Sequence, residues 1–169
     1  MRGTRSGQSD VVAMRWRGAT VRCLCALEEE GGVGGFALAA ARAGFPRVTG
    51  VEVSSGAISS AISAARHAGL SRSAASFIAD DATAWARAQS PEDVPNVIVV
   101  NPPRRGIGAD LAAYLNQCDA PRVIYSSCNP ASLATDLAAM PTLRPIEGRL
   151  FDMFPHTTHA EVALLLERA

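Results

Sequence analysis

The 169-residue chain reads as one α/β domain built on a mostly parallel sheet with helices on both faces. Three observations predict it. Short β-branched or apolar runs alternate with alanine-rich stretches of helical period from Val21 onward. Runs such as 97–100 are apolar throughout, as strands buried on both faces are. These runs also stop abruptly at turn-forming residues, of which Asn101-Pro102-Pro103 is the clearest case.

Residues 1–20 show no periodicity and read as an irregular N-terminal segment, with the domain occupying 21–169. Residues 21–27 form a first strand, 31–35 a turn, and 36–43 a helix stopped by Gly44. A second strand covers 48–53. Ser54 or Ser55 then caps a helix whose apolar positions Ala57, Ile58, Ala61, Ile62 and Ala65 recur at helical spacing up to Gly69. A weaker strand, 75–78, leads through Asp80-Asp81 into a short helix, and 97–100 and 123–125 are further strands. Asn129 caps a helix over 130–140 with Pro130 in its first position. Two late runs, 146–150 and 162–166, flank the segment 151–161.

The apolar fraction of 48% suffices for one core, and 19% charged residues argue against a long disordered tail. All 16 basic residues are arginine and they balance 16 acidic ones, so an RNA-binding surface must be a local patch or come from another domain. No apolar run reaches membrane-spanning length, and the arginine-bearing start lacks the apolar stretch of a secretory signal. A cytoplasmic protein without a membrane partner is expected, although the acid-poor start leaves an organelle-targeting reading open. In that compartment Cys23, Cys25, Cys118 and Cys128 are reduced.

Four segments carry chemistry. Gly31-Gly32-Val33-Gly34-Gly35 opens a helix, and Glu52 ends the next strand; this fits a nicotinamide cofactor, adenosylmethionine or a tight strand-to-helix turn. Asp81 either receives an adenine amino group or caps the following helix. In Asn101-Pro102-Pro103-Arg104-Arg105-Gly106 the prolines fix the chain and remove donors, so that Asn101 faces the cleft at the strand edge. Arg104 and Arg105 either meet RNA phosphates or form a solvated turn.

In Tyr125-Ser126-Ser127-Cys128-Asn129-Pro130 a thiol precedes a helix N-terminus, where the positive end of the dipole favours thiolate; the competing reading is a small buried hydrophobe. The segment Phe151 to Glu161 contains His156 and His159. Two histidines and a carboxylate invite a zinc reading, but the segment is loop-like and no well-spaced cysteine is close in sequence, so no metal is expected. Glu161 is better read as a general base oriented by the histidines.

Taken together, residues 31–168 resemble the catalytic domain of the RNA uracil-C5 methyltransferases, especially the branch that modifies bacterial 23S ribosomal RNA. The resemblance rests on Asn101-Pro-Pro-Arg-Arg-Gly-Ile-Gly108, Tyr125-Ser-Ser-Cys-Asn129 and Phe151-Asp-Met-Phe-Pro-His-Thr-Thr-His-Ala-Glu161, in the family's order. It implies a Rossmann-like class I methyltransferase fold of seven strands with an antiparallel last strand over 162–166, S-adenosyl-L-methionine as cofactor and RNA as substrate. It further implies that Gly32, Gly34 and Gly35 line the methionine side, Glu52 binds the ribose, Asp81 lies near the adenine and Asn101 sits between cofactor and base. Cys128 would add to uracil C6 and Glu161 would remove the C5 proton.

Two departures stand out. Where family members carry an acidic residue, an apolar residue, Phe or Tyr and then Cys-Gly, this chain has Leu27-Glu28-Glu29-Glu30-Gly31; three adjacent carboxylates are costly to desolvate and are expected to be exposed or rearranged. The family's N-terminal RNA-binding half is expected to be absent, and Cys23 and Cys25 do not reproduce its iron–sulfur pattern, so no cluster is expected. Two other functions compete: a catalytically silent cofactor- or RNA-binding domain, and an exocyclic-amine methyltransferase suggested by Asn101-Pro-Pro.

Overall fold

Four consecutive apolar residues, Val97 to Val100, are all buried, because successive strand side chains point to opposite faces and both faces of this sheet are covered. The computed structural model describes residues 24–28, 34–152 and 160–169. The predicted segment 1–20, Cys23, Glu29, Glu30, Gly31, Gly32, Val33, His156 and His159 lie outside the described residues.

The strands are β1 (Leu24–Glu28), β2 (Val48–Glu52), β3 (Ala75–Ala79), β4 (Val97–Asn101), β5 (Arg122–Ser127), β6 (Leu143–Phe151) and β7 (Glu161–Arg168). They form one sheet in the order β3-β2-β1-β4-β5-β7-β6. Strands β1 to β5 pair in parallel, whereas β7 runs antiparallel to both of its neighbours. The chain reverses its direction of winding between β1 and β4, and the crevice beyond the carboxyl ends of such strands is where open α/β sheets bind ligands.

Among the described residues five α-helices cover the sheet: α1 (Gly35–Arg42), α2 (Ser55–His67), α3 (Ala82–Arg87), α4 (Gly108–Gln117) and α5 (Pro130–Ala138). Phe36, Ala37 and Ala40 of α1 pack with Val48, Val97, Val99 and Ile124, and α2 packs beside α1 against β2 and β3. On the other face Ala82, Ala86, Leu111, Leu115 and Leu133 from α3, α4 and α5 meet Ile98, Val100, Val123 and Tyr125. Side-chain caps start α2, α3 and α5: the oxygens of Ser54, Asp81 and Asn129 accept from the backbone N–H of Ala57, Ala84 and Ala131.

The structure corrects three expectations. Strand β1 reaches Glu28, so the first of the three glutamates belongs to the paired strand. Helix α4 has no counterpart in the sequence reading; Ile107 occupies its N-cap without a capping side chain, so the usual start signal is missing. Strand β6 is longer than the run 146–150, because this edge strand is mostly exposed and its sequence shows no continuous apolar signal.

At the far end of β7, Arg168 donates to the carbonyls of Leu115 (2.8 Å), Asn116 (3.1 Å) and Ala120 (3.1 Å) and to Thr142 Oγ1 (2.9 Å). These bonds satisfy orphan carbonyls at the end of α4 and fix β7 in its register. Gly34, the N-cap of α1, has φ 71°, and a Cβ there would lie 2.7 Å from Ala61 Cβ and 2.8 Å from Phe77 Cε1. Gly34→Ala is therefore expected to cost about 2–4 kcal/mol, from positive φ and overpacking together. Gly56, near the start of α2, meets only Ser54 Oγ at 3.8 Å. Gly56→Ala should leave stability unchanged or raise it, and urea unfolding midpoints of the two variants measure the contrast.

Candidate active site

The parallel register aligns Glu28 of β1 with Glu52 of β2 and Asn101 of β4, so three polar residues form a row at the carboxyl edge of the central strands. Glu52 is only 3% exposed. Its Oε1 accepts from the Ser54 N–H at 2.9 Å, while Oε2 has no hydrogen-bond partner among the described residues. A buried polar atom left unpaired costs about 1–3 kcal/mol, so this oxygen is suited to a donor brought by a ligand. Gly34 and Gly35 open α1 on the neighbouring connection, and Asp81 follows β3 with its Oδ1 engaged in the α3 cap at 2.8 Å.

Asn101 ends β4 half-buried, and its side chain makes no hydrogen bond among the described residues. The loop that follows is clasped twice. Asn129 Nδ2 donates to the Arg104 carbonyl at 2.8 Å while its Oδ1 caps α5. Asp136, 6% exposed on α5, accepts from the Ile107 N–H at 3.0 Å and from the Tyr125 hydroxyl. Gly106 has φ 88°, and a Cβ there would overlap the Asp136 carboxylate, so only glycine lets the loop approach α5 this closely. Arg104 and Arg105 of this loop are exposed.

Cys128 lies just past β5 and is a partly exposed free thiol. Ser127 shapes the turn: its Oγ accepts from the Asn129 N–H and donates to the Asn129 carbonyl, each at 3.0 Å. Elsewhere, burial pushes the Cys118 thiol up, despite the Ala120 backbone and Arg168 nearby, so its neutral thiol form is favoured. Ser127 pairs with Val162 in the β5–β7 ladder, so Cys128 and Glu161 occupy the next position on either strand. Ser126, 1% exposed, pairs with Ala163 and donates from Oγ to Glu161 Oε1 at 2.5 Å. Glu161 Oε2 has no hydrogen-bond partner among the described residues.

Among the described residues no group of three metal-binding side chains clusters. None of their helices is long and apolar enough to cross a membrane. One edge of the sheet thus carries the buried Glu52 carboxylate, the Asn101 amide, the partly exposed Cys128 thiol and the Glu161 carboxylate. That set can hold hydroxyls and present a nucleophile and a base to one substrate.

Residues 92–169 match the family model described as tRNA (Uracil-5-)-methyltransferase. The 23S rRNA (uracil(747)-C(5))-methyltransferase RlmC of Pectobacterium atrosepticum is 44% identical over 138 residues, covering 82% of this chain and 36% of its own length. The protein of the same name from Edwardsiella ictaluri is 48% identical over 138 residues, covering 82% and 35%. Over these spans the chain is similar to RNA uracil-C5 methyltransferases. It spans about a third of the length of these two RNA uracil-C5 methyltransferases. A solved structure of the Pyrococcus abyssi tRNA (uracil-54, C5)-methyltransferase in complex with S-adenosyl-L-homocysteine superposes with a TM-score of 0.71 at 30% identity, over 83% of this chain and 33% of that one.

Local sequence signals single out neither Ser126, nor Asp136, nor the clasp from Asn129 to the Arg104 carbonyl. Ser126 has only its spacing as a pointer: it stands two residues before Cys128, and on a strand that spacing returns to the same face. Nothing local marks Asp136, whose partners lie in two other elements.

Proposed function

We propose that residues 21–169 are the catalytic domain of an S-adenosyl-L-methionine-dependent RNA methyltransferase acting on uracil C5 in 23S ribosomal RNA, in the cytoplasm and without a membrane partner. The observation that carries this reading is the β5–β7 register, which brings Cys128 and Glu161 to neighbouring positions on the edge that holds Glu52 and Asn101. The names of the relatives support the substrate class.

The residues fit the cofactor. Glu52 Oε2, buried and unpaired, matches the hydroxyl donors of a ribose. Gly32, Gly34 and Gly35 would line the methionine side, Asp81 would offer Oδ2 to the adenine amino group, and Asn101 would separate cofactor from base. When bound, S-adenosyl-L-methionine supplies an electrophilic methyl group on a sulfonium.

Uracil C5 is too weak a nucleophile to take that methyl unaided. The Cys128 thiolate forms a bond to C6, and the displaced π electrons give C5 enolate character. Once C5 carries the methyl group, Glu161 takes the C5 proton; the freed electron pair restores the C5=C6 bond and expels the thiolate. Arg104 and Arg105, exposed beside this edge, suit RNA phosphates.

The test is to incubate the chain with methyl-labelled S-adenosyl-L-methionine and an unmodified 23S rRNA transcript, then digest the RNA to nucleosides. Label in 5-methyluridine is the expected result. Label on an exocyclic amine of adenine or cytosine, or no transferred label, would overturn the proposal. In calorimetric titration Glu52→Gln should bind S-adenosyl-L-methionine about 10- to 100-fold more weakly, the loss of a charge-assisted hydrogen bond. Unchanged affinity would remove Glu52 from the cofactor site.

A further inference from the structure

We infer that Ser126 is a positioning residue for the base: its hydroxyl holds the Glu161 carboxylate in the orientation that collects the C5 proton. This assignment rests on Glu161 being that base.

Ser126 sits where packing alone would select an apolar side chain. It shares its face of β5 with Ile124, which packs with Ala163 and Leu165 of β7, and all three are buried. A hydroxyl at 1% exposure is costly unless bonded, and its partner here is Glu161 Oε1 at 2.5 Å, in the short range of an O–H···O⁻ contact. The adjacent Ser127 is spent differently, on the turn at Asn129, so the tandem serines have separate tasks.

Glutamate has three rotatable side-chain bonds, and a carboxylate swinging among rotamers would seldom meet a particular C–H bond. With Oε1 held, Oε2 is the oxygen left to accept the proton. Because Ser126 donates to Oε1 whether Oε2 is bare or protonated, the hydroxyl itself transfers nothing, and the effect is one of orientation.

The assignment predicts a change in one step. Ser126→Ala should lower methylation turnover about tenfold or more and lower the KM for RNA with it, leaving kcat/KM nearly unchanged, because proton removal follows binding, addition and methyl transfer. The fraction of chain covalently attached to RNA at steady state should rise. RNA deuterated at uracil C5 should show a primary isotope effect larger than in the parent chain. Ser126→Thr and Ser126→Val have the same shape and differ in the hydroxyl, so Thr should outperform Val.

Parent-like turnover, adduct fraction and isotope effect in Ser126→Ala would overturn the assignment. So would equal activity of the Thr and Val variants, or a loss that follows weakened S-adenosyl-L-methionine binding, since those mark a packing role. Normal turnover in Glu161→Gln would instead remove the base assignment beneath it, whatever Ser126→Ala does.

Discussion

Cys128→Ala is expected to abolish methyl transfer while leaving S-adenosyl-L-methionine affinity unchanged. The expected loss is large because the thiol supplies the electrons that make C5 nucleophilic, and no neighbouring group substitutes for an S–C6 bond. A fall of at least about 10³-fold corresponds to roughly 4 kcal/mol of lost transition-state stabilisation. Cofactor affinity should survive because Glu52 lies on β2, three strand spacings from β5, or about 14 Å. Changes that far apart without shared partners act independently. Rapid-quench transfer assays and calorimetry on the same preparation measure both quantities. Full activity in the variant would end the nucleophile assignment, and lost cofactor binding would show that the thiol supports the fold instead.

Glu161→Gln is expected to form the covalent adduct and stop there. Glutamine keeps the shape and can still accept the Ser126 hydrogen bond through its amide oxygen, but it cannot take up a proton at neutral pH. Addition of Cys128 and methyl transfer should therefore proceed once per chain. The C5 proton then remains, the thiolate cannot be expelled, and turnover should fall about 10²- to 10⁴-fold, the usual weight of a general base. A denaturing gel should show a retarded protein–RNA band that grows to one equivalent of chain. Normal turnover without that band would sink the assignment.

The two variants lead in opposite directions: one should leave no adduct and the other should accumulate it. A purely structural disturbance at either position would lower adduct and turnover together. That difference lets the pair separate chemistry from folding.

The architecture was legible where local physics decides it. The apolar run 97–100 indicates a strand, and Ser54 or Ser55, Asp81 as one of its two readings, and Asn129 are cap candidates; the structure has the strand, with Ser54, Asp81 and Asn129 as caps. Helix α4 escaped because its start carries Gly106, Ile107 and Gly108 and no capping side chain, so its apolar positions Ile107, Leu111, Ala112 and Leu115 lacked a boundary signal. The Asp81 alternatives were separable only in part: one oxygen caps α3, and the other is not used by that cap.

The amino-acid sequence by itself determined the alternation of strands and helices, the turn residues at the strand ends and the chemical types gathered there, because periodicity, capping and proline geometry act within a few residues. Only the tertiary structure decided which of those side chains meet. Ser126 and Glu161 are 35 residues apart in the chain and touch because β7 inserts antiparallel between β5 and β6. Asp136 grips the loop after β4 because α4 and α5 pack on one face of the sheet. Strand order and register come from burying two apolar faces at once, a property of the whole chain that no short stretch of it encodes.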